Sequence, residues 1–158
     1  MDNTMKMKMT ALMLCLCLLA VGCGKKEETV TVDLTQLADA LLTGLTFQEE
    51  LIELDASMAE QLYGLEADKF TKQIIYASSG ATSDEVILLE AGEETDMEEV
   101  KALLEQRVSD QKDNFESYRP DQMEAINHAV IKINGRYAAL VICGNWEGAE
   151  KILEEAGL

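Results

Sequence analysis

Apolar positions in this chain recur every three or four residues in some stretches and run unbroken or alternate in others, which divides it into helices and strands. Leu34, Leu37, Ala38, Leu41 and Leu42 form a helical stripe, opened by Asp33 and Gln36 at capping-box spacing and closed by Gly44. From Phe47 to Leu54 the spacing also fits a helix face, but Asp55-Ala56-Ser57 begins a new cap, so a short extended piece is favoured. Ser57 and Glu60 then predict a second helix with Met58, Ala59, Leu62 and Tyr63 inward and Gly64 as its stop. Gln73 to Ala77 and Glu85 to Ala91 are rich in Ile, Val, Leu and Tyr and predict two strands joined by the loop Ser78 to Asp84. Thr95, with Glu98 three residues on, opens the longest helix. Met97, Val100, Leu104, Val108, Phe115 and Tyr118 recur along it until Pro120, which starts a further short turn carrying Met123 and Ile126.

Ala129 to Ile133 and Arg136 to Cys143 flank Asn134-Gly135, the dipeptide suited to a type I′ hairpin turn. With Ile133 opposite Arg136, one face carries Ala129, Ile131, Ile133, Ala138, Leu140 and Ile142; the other carries His128, Val130, Lys132, Tyr137, Ala139, Val141 and Cys143. A last helix begins near Asn145 and turns Ala149, Ile152, Leu153 and Ala156 inward before Gly157. This order predicts an α+β domain. Its four-stranded antiparallel sheet is built from two hairpin-like pairs with helices packed mainly on one face, leaving the Tyr137 and Lys132 side partly open or met by the Phe47 segment.

Ahead of that domain stands a different kind of segment. Lys6 and Lys8 precede an apolar run from Ala11 to Val21, and Ala20-Val21-Gly22-Cys23 closes it, which looks like a bacterial lipoprotein signal. A run of about 11 residues rises only ~16 Å as a helix, against a hydrocarbon core of ~30 Å, so it suits a signal sequence better than a permanent span. The expected organisation is a signal peptide over residues 1–22, a lipidated Cys23 with a flexible linker over 23–31, and one acidic domain over 32–158. Ala20 is less usual than Leu at its place, which leaves ordinary secretory cleavage as the alternative. Two acyl chains give stable attachment where one is marginal. Lys25 and Lys26, beside the anchor, either face anionic headgroups or simply solvate the linker.

Losing Asp2, Lys6 and Lys8 with the leader takes the chain from 30 acidic and 13 basic side chains to 29 and 11, a net charge of −18. Such a field excludes nucleic acid and other polyanions as partners and favours cationic groups or divalent ions. Cys15 and Cys17 would leave with the leader and Cys23 would carry lipid; Cys143 is then alone, and no disulfide framework exists.

Catalytic chemistry finds little support. His128 and Cys143 share a predicted hairpin face on diagonal positions, but a cysteine nucleophile also needs a lowered pKa and an orienting third group, and neither is marked. Ser109-Asp110-Gln111-Lys112 matches S-x-x-K by chance within a long helix, without its companion motifs. Glu93, Glu94, Asp96, Glu98 and Glu99 offer oxygen enough for weak calcium binding if the backbone converged, or else form a solvated cap. A single histidine and a single free thiol do not make an ordinary zinc site. Trp146, opening the last helix, reads as a core anchor or an exposed contact.

Several landmarks together carry a resemblance: Leu51-Ile52-Glu53-Leu54-Asp55, Leu62-Tyr63-Gly64-Leu65, Ser79 to Val86, and Tyr118-Arg119-Pro120-Asp121-Gln122. With the closing hairpin and helix they resemble domain-of-unknown-function family 4358, whose members look like small bacterial lipoproteins with the same order of elements. The family implies no activity, and Cys143-Gly144-Asn145-Trp146 stands where an aspartate-rich turn is expected. The expected function is that of a membrane-anchored extracytoplasmic lipoprotein, attached through Cys23, that binds another protein or peptide without catalysis or cofactor. Tyr137, Lys132 and the Ser79 to Asp84 loop are the candidate contacts. Calcium binding around Asp96 is the alternative, and an envelope enzyme is less favoured.

Overall fold

The computed structural model describes residues 31–158; the leader and the expected lipid attachment at Cys23 lie outside the described residues. Within them run α1 (Leu34–Gly44), β1 (Ile52–Glu53), α2 (Ala56–Tyr63), β2 (Phe70–Ala77), β3 (Glu85–Ala91), α3 (Met97–Phe115), α4 (Met123–Asn127), β4 (Val130–Asn134), β5 (Tyr137–Ile142) and α5 (Trp146–Glu155). The sheet is antiparallel throughout, in the order β1-β2-β3-β5-β4. Among the described residues, no helix is long and apolar enough to cross a membrane.

The sheet has five strands, not the expected four. The extended piece ahead of Asp55 pairs at the edge, Ile52 with Ala77 and Glu53 with Tyr76. Two residues are too few for an alternating pattern to announce a strand.

Helices cover both faces of the sheet, which corrects the expected one-sided packing. On one side Ile75, Ile87, Leu89, Ala138, Leu140 and Ile142 pack with Ala59 of α2, Val100 and Leu104 of α3 and Ile126 of α4. On the other, Val86, Leu88, Ala139, Val141 and Cys143 pack with Leu34, Leu37 and Leu41 of α1 and Ala149 and Leu153 of α5. The central strands show why: every residue of β5 is buried, and so are Val86 to Leu89 of β3. Strands buried on both faces read as continuous apolar runs, and each large aliphatic side chain so enclosed contributes about 1.5–3 kcal/mol.

Tyr137 and Lys132 therefore do not sit on an open face. Tyr137 is 4% exposed beneath α1 and α5, and Lys132 reaches across to α5, its Nζ 2.7 Å from Glu150 Oε1 and 3.0 Å from Glu154 Oε1.

The hairpin turn lies one residue further along than Asn134-Gly135 predicts. Asn134 pairs with Tyr137 and Ile133 with Ala138, so Gly135 and Arg136 are its central residues. Gly135 has φ 57°, and among the described residues none other than glycine has a positive φ. A type I′ turn requires positive φ at both central positions, whereas a glycine followed by an ordinary residue suits type II′. The register differs by two from the expected one, and because side chains alternate with period two, the assignment of residues to faces survives. His128 is the exception: it caps the end of α4 rather than joining β4. Two helix starts also move. Asp55 caps α2 in place of Ser57, accepting from Met58 N at 2.9 Å, and Asp96 caps α3 in place of Thr95, whose hydroxyl donates to the Lys69 carbonyl.

Candidate functional site

The loop between β2 and β3 is polar in sequence yet enclosed in the fold. Thr82, Ser83, Asp84 and Glu85 are 7%, 0%, 1% and 0% exposed. Buried polar groups need partners, and here they come from distant parts of the chain. Glu49, just before β1, accepts from the hydroxyls of Ser79 and Thr82 at 2.8 and 3.2 Å. Those hydrogen bonds, with Ser79 contributing most, hold its carboxyl below the usual carboxylate range. Asp84 accepts from the Gln48 backbone N–H at 2.6 Å. From the turn before α4, Gln122 Oε1 accepts from Ser83 N at 3.1 Å and from Gln48 Nε2 at 2.9 Å, while Gln122 Nε2 donates back to Gln48 Oε1 at 3.1 Å. Arg119 donates to the Ala81 carbonyl at 2.9 Å and forks onto Asp121, whose carboxyl it holds well below the usual range.

On the α2 and α3 side of this loop lies a cleft of about 260 Å³, lined by Leu62, Tyr63, Ala77, Arg107, Gln111 and Phe115 together with loop residues. Glu85 is the first residue of β3, and its buried carboxylate accepts from Arg107 Nε at 3.0 Å and from Arg107 Nη2 at 3.0 Å. Burial alone would lower the Arg107 pKa; the charge and hydrogen bonds of Glu85 raise it above its ordinary value. The guanidinium lies 4.5 Å from the centroid of the Tyr63 ring, a cation–π contact. Burial, and after it the charge and hydrogen bond of Glu85, push the Tyr63 phenol upward, so it stays protonated at physiological pH.

Asp84 is the electrostatic weak point of the loop. Its Oδ1 is buried without a hydrogen-bond partner among the described residues, and burial raises its pKa above 3.8, with Gln48 opposing and the Glu49 charge reinforcing the shift. Between 3.8 and the raised folded value, the folded protein keeps a proton that the unfolded chain has released. Stability is accordingly expected to fall as pH rises through that window; the penalty is absent below 3.8 and complete above the folded pKa. The difference in urea midpoint between Asp84→Asn and the wild type isolates this contribution from the opposite ones of Glu49 and Asp121, and it should shift in the variant's favour as pH rises through that window.

The structure separates the other sequence candidates. Cys143 is 1% exposed, and burial pushes its thiol up to about 11, away from nucleophilic use. His128 is exposed and stacks on Trp146 with centroids 4.1 Å apart and planes 12° apart. Its Nδ1 lies 2.9 Å from the Glu124 carbonyl. Asp96 spends Oδ1 on the Glu98 backbone N–H at 2.9 Å, and among the described residues no group of three or more His, Cys, Asp or Glu is placed to hold a metal ion. Of the expected contacts, only the Ser79 to Asp84 loop borders the cleft.

Arg107, Glu85 and Gln122 had no catalytic motif to mark them. The available signal was a glutamate abutting the apolar run Val86 to Leu89, a position that demands a charged partner if the strand is central.

Two of the sequence landmarks, Ser79 to Val86 and Tyr118 to Gln122, converge on this one place, and Tyr63 of a third lines the cleft. The fold is a two-sided α+β sandwich around a polar, pinned loop. The chain belongs to the family described as domain of unknown function (DUF4358), which matches residues 45–143 and so includes the loop, the cleft and all five strands. No curated protein and no solved structure matches the chain.

Proposed function

We propose that this chain is a lipoprotein held at the extracytoplasmic face of the cell membrane by a diacylated Cys23. In this reading its acidic domain is a non-enzymatic module that binds another extracytoplasmic protein or peptide. The cleft beside the Ser78 to Asp84 loop carries the binding part of the reading. It joins an apolar rim to enclosed polar groups, the usual composition of a recognition site. Leu62 is 57% exposed at its edge, and Tyr118, which is 68% exposed, has its ring 6.4 Å from that of the lining residue Phe115. The contact surface accordingly moves from Tyr137 and Lys132 to Leu62, Tyr118 and the loop.

The membrane part rests on the leader. A palmitate analogue is expected to label the wild type and not Cys23→Ala, and the variant should leave the membrane fraction; equal labelling of both would end the lipoprotein reading. For the binding part, benzoylphenylalanine in place of Leu62 or Tyr118 should give a discrete crosslinked species in intact cells, and in place of the exposed Lys151 it should not. Identical products from all three positions would remove the cleft as the contact surface.

A further inference from the structure

The cleft leaves specific groups unspent, and they define what it would hold. Arg107 uses Nε and Nη2 on Glu85, and its Nη1 donates to no group among the described residues. Gln111, one helical turn further along α3, is 5% exposed and lines the cleft, and its amide makes no hydrogen bond among the described residues. With no partner among the described residues, that amide is free to donate to and accept from a ligand. Leu62 of α2 and Phe115, a further turn along α3, supply apolar surface to the same cleft.

Size and charge narrow the occupant. Small-molecule and cofactor pockets run about 300–1,000 Å³, so a cleft of ≈ 260 Å³ suits one side chain of a longer ligand better than a whole cofactor. Glu85 already neutralises Arg107, Asp84 and Glu85 both line the site, and the whole chain has a net charge of −17, so an anionic ligand gains little and meets repulsion. A neutral group that both accepts and donates hydrogen bonds fits: a peptide unit, its carbonyl taken by Arg107 Nη1 and its polar edge by the Gln111 amide, with the adjoining side chain against Leu62 and Phe115.

We infer that the cleft between α2, α3 and the Ser78 to Asp84 loop binds an extended peptide segment carrying one apolar side chain flanked by neutral or basic residues. The inference rests on the binding reading above and names its ligand class. Arg107 and Gln111 read the backbone, Leu62 and Phe115 receive the side chain, and the surrounding carboxylates reject acidic sequences.

The test uses the full chain in detergent micelles and a heptapeptide with photo-leucine at its centre and Gly, Ser and Lys at its flanks. Adducts mapped by mass spectrometry should concentrate on residues 62–63, 78–85 and 107–115. An unlabelled leucine-centred peptide should compete, and a version with Glu flanks should compete at least tenfold less well. Gln111→Met, which keeps the packing volume and loses the amide, should cut adduct yield at least fivefold while circular dichroism and the urea midpoint stay near wild type. Adducts spread over the surface, equal competition by the acidic peptide, or full labelling of a folded Gln111→Met protein would each overturn the inference. If the peptide fails while benzoylphenylalanine at position 62 still captures a discrete species in cells, the ligand class falls and the binding module stands.

Discussion

Arg107→Met is expected to cost about 3–5 kcal/mol, a large part of the 5–15 kcal/mol that typically holds a domain of this size together. Its partner Glu85 is the reason. Glu85 is fully buried, its side chain is 1% exposed, and it draws its compensation from the two Arg107 donors. With the guanidinium gone, a carboxylate remains in an apolar interior between β3 and α3 and must either stay charged at high cost or take up a proton. Adding Glu85→Gln to Arg107→Met should therefore recover at least half of the loss, because the stranded charge disappears while the side-chain volume is kept. Urea unfolding of the two single variants and the double variant measures both quantities. Equal midpoints for Arg107→Met and wild type would show that the pair carries no structural weight.

Gln122→Met should cost about 2–3 kcal/mol by a different route. The Gln122 side chain has no charge to strand, but its Oε1 serves Ser83 N, Ser83 Oγ and Gln48 Nε2 together, and its Nε2 serves Gln48 and Asp121. Methionine fills a similar volume and offers none of these partners, so the buried Ser83 N–H is left unsatisfied. The loss should appear locally before it appears globally: amide exchange at Ser83, Asp84 and Gln48 should accelerate in Gln122→Met while the exchange of β5 amides follows only the global stability. Unchanged exchange at Ser83 would mean that another acceptor replaces the glutamine.

Much of this architecture could be read from residues. The helix stripes and their caps fell within one or two positions, since Asp, Ser and Thr compete for the cap and adjacent candidates differ only in which backbone N–H they reach. The two faces of the β4–β5 hairpin were legible even though its turn was placed one residue early, because alternation fixes the face and the turn fixes only the pairing. One-sided packing is the expectation that the structure overturns. The runs Val86-Ile87-Leu88-Leu89 and Tyr137-Ala138-Ala139-Leu140-Val141-Ile142 are apolar at successive positions, which is the mark of cover on both faces; reading the hairpin by alternation alone hid it. Tyr137 and Lys132 accordingly lie against α1 and α5 and not in the open.

The site was less legible than the fold. Its loop appears in the sequence as Ser-Ser-Gly-Ala-Thr-Ser-Asp, ordinary connecting chemistry, and nothing in that composition says that Ser83 and Asp84 end up sealed inside. Enclosure comes from Gln122, 39 residues away from Ser83 along the chain, and from Gln48, 36 residues from Asp84 on the other side. Separations of that kind have no local period, and only the folded sheet brings them together.

The strand order also sets a timetable. Strands β2 with β3 and β4 with β5 are neighbours in sequence, but the seam that joins them pairs Glu85 with Ile142 and Glu90 with Tyr137 across the whole of α3. Such long-range closure is slow, because loop entropy must be spent before the contacts return anything. A nascent chain therefore cannot complete its central seam until the Tyr137 to Ile142 stretch has been synthesised, and until then β3 exposes an apolar edge that invites aggregation or chaperone capture.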